Sequence, residues 1–83
     1  MIDVKQAYKI VLSNNPKMKA FTCAEHEDSF VFSLIPEDLK KNDCFSNSAV
    51  YIVDKSNGAY KVLPFFEIMD KPIIRDIDIT TLE

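Results

Sequence analysis

The residues with the clearest chemical capacity lie close together in Cys23-Ala24-Glu25-His26-Glu27-Asp28. A catalytic reading makes Cys23 a nucleophile, His26 its base, and Glu25 or Asp28 the acid that orients the imidazole. Geometry argues against it. Along an extended strand, residues 23 and 26 point to opposite faces and stand about 10 Å apart. The plainer reading is a solvated hairpin turn carrying an ordinary exposed histidine. A metal reading of Glu25, His26, Glu27 and Asp28 meets the same objection, because four consecutive ligand types cannot all converge and acidic turns are usually solvated. Cys23 and Cys44 are 21 positions apart, match no zinc-ligand spacing, and leave a site with His26 one ligand short. We read both as reduced packing residues, with a Cys23–Cys44 bridge as the alternative in an exported protein. The single glycine, Gly58, cannot build a phosphate loop. Neither a nucleophile elbow nor a CxxC pair is present. The expectation is therefore no catalytic residue, no metal and no cofactor.

The elements that must position these residues follow from periodicity. Val4, Ala7, Tyr8, Val11 and Leu12 form one stripe of a helix over Asp3–Asn14, with Asp3 and Gln6 as its capping box. Asn14-Asn15-Pro16 ends it. Lys19–Glu25 reads as a strand with Phe21 and Cys23 on one side and Ala20, Thr22 and Ala24 on the other. Ser29–Ile35 completes a hairpin, with Phe30, Phe32 and Leu34 on one face and Val31, Ser33 and Ile35 on the other. Pro36–Lys40 suits one helical turn, and residues 42–48 a surface connection with Phe45 tucked in. Ala49–Asp54 and Ala59–Leu63 form a second hairpin around Asn57-Gly58. Phe65–Asp70 fits a short helix or a coil packing its aromatics. The Asp76-Ile77-Asp78-Ile79 alternation after Pro72 fits an edge strand, with Ile73, Ile77 and Ile79 on one face.

These elements predict a single α+β domain, residues 1–83, with an N-terminal helix packed on a four-stranded antiparallel meander. A short helix and an edge strand could follow at the C-terminus. The helix stripe matches the Phe30/Phe32/Leu34 row. The opposite face, with Val31, Ile35 and half of the third strand, then needs cover from the tail, a second copy or a partner protein.

Composition narrows the partners. A hydrophobic fraction of 47% with six Phe and three Tyr excludes a disordered chain. Ten basic against thirteen acidic side chains, a net charge of −3, argue against nucleic acid. The longest uncharged run, Cys44 to Val53, is half the roughly 20 residues a membrane helix needs. Met1–Gln6 has no apolar signal core, so a cytoplasmic protein without a membrane partner is expected. Charge is uneven along the chain. Lys5, Lys9, Lys17 and Lys19 face only Asp3 early on, whereas Glu67, Asp70, Asp76, Asp78 and Glu83 outnumber Lys71 and Arg75 late. That asymmetry suits either steering of a basic partner or a tail folded against its own helix, and we expect the second.

The segment Ser48–Pro64, with Ile52-Val53-Asp54-Lys55-Ser56-Asn57-Gly58 at its centre, resembles the hairpin of the YrhB-like bacterial immunity-protein family. Asp54 to Gly58 also resembles the "D-x-x-x-G" hairpin of PepSY-like domains. The first resemblance implies a helix-plus-meander fold and a cytosolic protein that neutralises a toxin from its own operon, without catalytic residues. The expectation is thus a non-enzymatic binding protein that occludes a protein partner. Val31, Ile35, Glu37, Asp38, Phe45, Glu67 and Asp70 are its candidate contacts. A homo-oligomeric accessory domain, such as a homodimer, is the alternative, and a cysteine enzyme using Cys23 and His26 is a distant third.

Overall fold

The computed structural model describes residues 1–37 and 49–83. The helix α1 runs over Val4–Asn14, and its first turn is closed by the expected capping box. The Gln6 N–H donates to the Asp3 carboxylate at 2.9 Å, and the Asp3 N–H donates to Gln6 Oε1 at 2.9 Å. These bonds satisfy donors that a helix start leaves open. At the other end the Asn15 side chain donates to the Val11 carbonyl at 2.8 Å and to the Tyr60 hydroxyl at 3.0 Å.

Four strands follow in an antiparallel meander: β1 (Met18–Glu25), β2 (Ser29–Pro36), β3 (Ala49–Asp54) and β4 (Tyr60–Pro64). A short fifth strand, β5 (Arg75–Ile77), lies antiparallel on the outer side of β1. Among the described residues the spatial order is β4-β3-β2-β1-β5, so the expected meander gains an edge strand at the far end. The fold is α+β, as the periodicity implies.

The β3–β4 turn shows why its residues are of these types. Gly58 sits at φ +73°, where other residues are strained. Asp54 accepts from the Ser56 N–H at 2.8 Å and the Ser56 hydroxyl at 2.6 Å. The Ala59 N–H donates to Asn57 Oδ1 at 2.9 Å, which holds Ala59 in the turn and starts β4 one residue later than expected.

Three local expectations are corrected. A bulge lies between Ala20 and Thr22: Ala20 pairs with Leu34 but Thr22 with Ser33, leaving Phe21 as the extra residue. An extra residue breaks the two-residue alternation. Ala20 and Cys23 therefore share the helix-side core, while Phe21 is exposed. Pro36 does not open a helical turn but closes β2 opposite Met18, an end position that a proline tolerates. The rest of the expected turn, through Lys40, lies outside the described residues. In the tail, Phe65–Glu67 forms a single 3₁₀ turn. Of the face expected from Ile73, Ile77 and Ile79, the last two share the helix-side core, with Ile79 in a 3₁₀ turn capped by Asp78, while Ile73 is exposed.

Two apolar clusters lie on the two faces of the sheet. On the helix face, Ala7 and Val11 meet Cys23, Phe32, Leu34 and Val53, and Tyr8 tilts against Phe32 at a centroid distance of 6.3 Å. Ile77, Ile79 and Leu82 close this core from the tail. On the other face, Val31, Val50 and Ile52 are covered by Ile68. The chain must cross the sheet from β4 at one edge to β5 at the other, about 19 Å at ordinary strand spacing. Residues 65–74 make this crossing as a strap.

Candidate functional site

The Cys23–His26 locus does not assemble a dyad. Cys23 belongs to the helix-side core, whereas His26 shares a cavity with Val31, Ile52 and Ile68 on the opposite face. Cys23 is a free thiol, 3% exposed, and burial pushes its pKa up to about 12. A thiol this hard to ionise is a packing group rather than a nucleophile. Glu25 is occupied too. It accepts from Lys55 Nζ at 2.8 Å and from Arg75 Nε at 2.6 Å, and these two hydrogen bonds hold its carboxyl below the usual range. Among the described residues no three His, Cys, Asp or Glu side chains come together as a metal would require.

His26 itself is not the exposed turn residue that its neighbours suggest. It is 4% exposed, with its backbone N–H donated to the Ser29 carbonyl at 2.9 Å. Strap residues Lys71 and Pro72 stand beside it in an outer depression that includes Glu27 and Asp28. Burial lowers its pKa, and the Lys71 and Lys55 ammonium groups lower it further, against the opposing pull of Asp28. The cavity under the strap, bounded by His26, Ser29, Asp54, Lys61, Ile68 and Lys71, amounts to about 40 Å³. That is room for a water or so, well short of the roughly 300 Å³ of a small-molecule site.

The strap presents a different surface. Its backbone is fixed by the Ile68 N–H donating to the Phe65 carbonyl, the Lys71 N–H to Ile68, and the Ile74 N–H to Glu25 at 2.8 Å. Ile68 points inward at 6% exposure, but Phe65 (51%), Phe66 (69%), Met69 (65%), Ile73 (55%) and Ile74 (59%) all point out. Five large apolar side chains within ten residues are more than a surface scattering of single hydrophobes.

The expected contacts distribute unevenly around this surface. Val31 is 7% exposed beneath Ile68, so it is part of the core and not open to a partner. Ile35 is half-buried, and Glu37 is exposed with its N–H donated to the Lys17 carbonyl at 3.0 Å. Asp38 and Phe45 lie outside the described residues, as does Cys44. Glu67 and Asp70 are exposed on the strap, among the apolar side chains. Phe65 and Phe66 do not pack as in the coil alternative for this segment: they lie in the 3₁₀ turn and both point outward. A signal was present: Phe65-Phe66 and Ile73-Ile74 are apolar doublets next to Pro64 and Pro72, and a doublet in irregular chain cannot readily bury both members. The expected charge pairing of tail with helix is also corrected. Among the described residues the ion pairs are Lys55–Glu25 and Arg75–Glu25, and the tail meets the helix side through Ile77, Ile79 and Leu82.

No helix among the described residues is long and apolar enough to cross a membrane. Comparison with protein-family models, with curated proteins and with solved structures gives no match for this chain.

Proposed function

We propose that the chain is a non-enzymatic protein-binding module that docks a partner through the strap. In its most concrete form it is a bacterial, cytoplasmic immunity-type inhibitor that covers a toxin by occlusion. The observation that carries this reading is the exposure of Phe65, Phe66, Met69, Ile73 and Ile74 on a segment held in place by hydrogen bonds and one buried anchor. Exposed aromatic and Met side chains are the groups that protein interfaces favour. The hairpin resemblance supplies the immunity role. Its residues Asp54, Asn57 and Gly58 serve the turn, so the partner surface is assigned to the strap.

A photo-crosslinking amino acid at Phe66, in cells that make the full chain, tests this reading. A discrete adduct to another protein is expected at Phe66 and absent at the exposed helix residue Lys9. Equal, diffuse labelling at both positions would overturn docking through the strap. An adduct of two copies of this chain would replace the inhibitor with the self-associating alternative.

A further inference from the structure

Resting on the docking reading above, we propose that the strap recognises an apolar segment of another protein flanked by lysine or arginine, and not a second copy of itself. Five apolar side chains form the centre of a contact, and the roughly 800 Å² per partner of a standard interface also takes in a rim. On the strap the rim is acidic. Glu67 and Asp70 are exposed between the apolar side chains and, among the described residues, have no ion-pair partner. Asp76 joins them. Its neighbour Ile77 packs in the helix-side core, so alternation along β5 turns Asp76 to the strap face.

In the same stretch three exposed carboxylates stand against one exposed ammonium without an ion pair among the described residues, that of Lys71. Arg75 donates to Glu25, and Lys71 lines the cavity beside His26. Lys61, at the β4 edge, lines the same cavity as Asp54. A two-fold dimer centred on the strap would bring two such predominantly acidic rims together, a like-charge arrangement that costs affinity. A basic-flanked partner meets the same groups as attraction, and their field speeds its approach.

The test uses the full chain and three fluorescein-labelled peptides read by anisotropy. One is an amphipathic Leu/Lys helix, one its Leu/Glu counterpart, and one a Leu/Lys peptide scrambled to destroy the apolar face. The amphipathic Leu/Lys peptide is expected to bind at least tenfold more tightly than either of the others. F66S/M69S should weaken it tenfold or more, and E67K/D70K should reverse the preference between Lys and Glu peptides. These positions are exposed, so circular dichroism should show an unchanged fold. Equal binding of the Lys and Glu helices, or no binding of either, overturns the basic-flanked partner. The Phe66 crosslink then judges docking separately. Binding untouched by F66S/M69S removes the strap as the site. F66S-sensitive sedimentation with phosphatidylcholine vesicles, without any peptide preference, would assign the patch to lipid and overturn the proposal.

Discussion

On one face of the sheet an 11-residue helix lays Ala7 and Val11 onto Phe32, Leu34 and Val53, all at or near zero exposure. On the other face ten residues of irregular chain supply one inward side chain, Ile68, over Val31, Val50 and Ile52. Both faces are closed, but by different means. The helix satisfies its own backbone and repeats its apolar positions every turn. The strap has no repeat, relies on a few turn hydrogen bonds, and buries one residue while exposing five. Local stability should differ accordingly, because segments with few buried contacts open at lower free energy than the core. The face that packs against the helix and the face that leaves five large apolar side chains exposed are thus separate parts of the molecule.

Truncating the helix-side core should have the largest effect. Phe32 is fully buried at the centre of that cluster, and Phe32→Ala is expected to cost about 3–5 kcal/mol. Against a total of roughly 5–15 kcal/mol that abolishes or nearly abolishes the urea unfolding transition. Ile68→Ala should cost about 2 kcal/mol and act locally. Amide exchange is expected to quicken across the strap while α1 amides keep their protection. Uniform quickening would show that the two faces form one cooperative unit. Glu25→Gln tests the corner where the faces meet, since Glu25 joins Lys55 of the β3–β4 turn to Arg75 of β5. Arg75 is largely exposed, so most of the loss, about 1 kcal/mol, should come from the Lys55 pair.

The smallest effect is a pH dependence placed on the strap face. His26 holds a proton less readily folded than unfolded. Below its ordinary value of about 6.5 the unfolded chain therefore takes up more protons, and acid favours unfolding. The stabilisation is complete above that value and is lost as pH falls through the lower folded one. The lowered carboxyls of Glu25, Asp54 and Asp78 have the same sign, but their contribution is complete above about pH 4 and is lost only below it. A modest fall in melting temperature is expected as pH drops below about 6.5, and His26→Gln should remove the part of it that precedes the carboxyl range. A decline unchanged by His26→Gln would show that strap cover does not perturb this imidazole.

The same contrast explains what was readable from the chain. Helix α1, its cap and the Asn57-Gly58 turn depend on residues within a few positions of one another, and each formed as its spacing implies. The pairing of Phe30, Phe32 and Leu34 with the helix stripe was legible for the same reason. The bulge at Phe21 was not, because an alternation of side chains looks unbroken until the partner strand counts one residue fewer. The burial of His26 and Val31 depends on Ile68, Lys71 and Pro72, far along the chain, and no local pattern reports a cover from that distance. The outward strap was half legible. The exposure of Glu67 and Asp70 follows from their charge, but the outward turn of Phe65 and Phe66 differs from a coil packing its aromatics, one of the two alternatives for this segment.

The position of β5 also bears on how the molecule is made. Its Arg75 reaches back 50 positions to Glu25, so β1 emerges from the ribosome long before the strand that pairs with its outer edge. During synthesis that rim of unpaired amides and carbonyls, with Phe21 beside it, stands open to any passing strand. The nascent chain is therefore most vulnerable to aggregation in the interval between making β1 and making residues 75–77, an interval in which a chaperone would have most to protect.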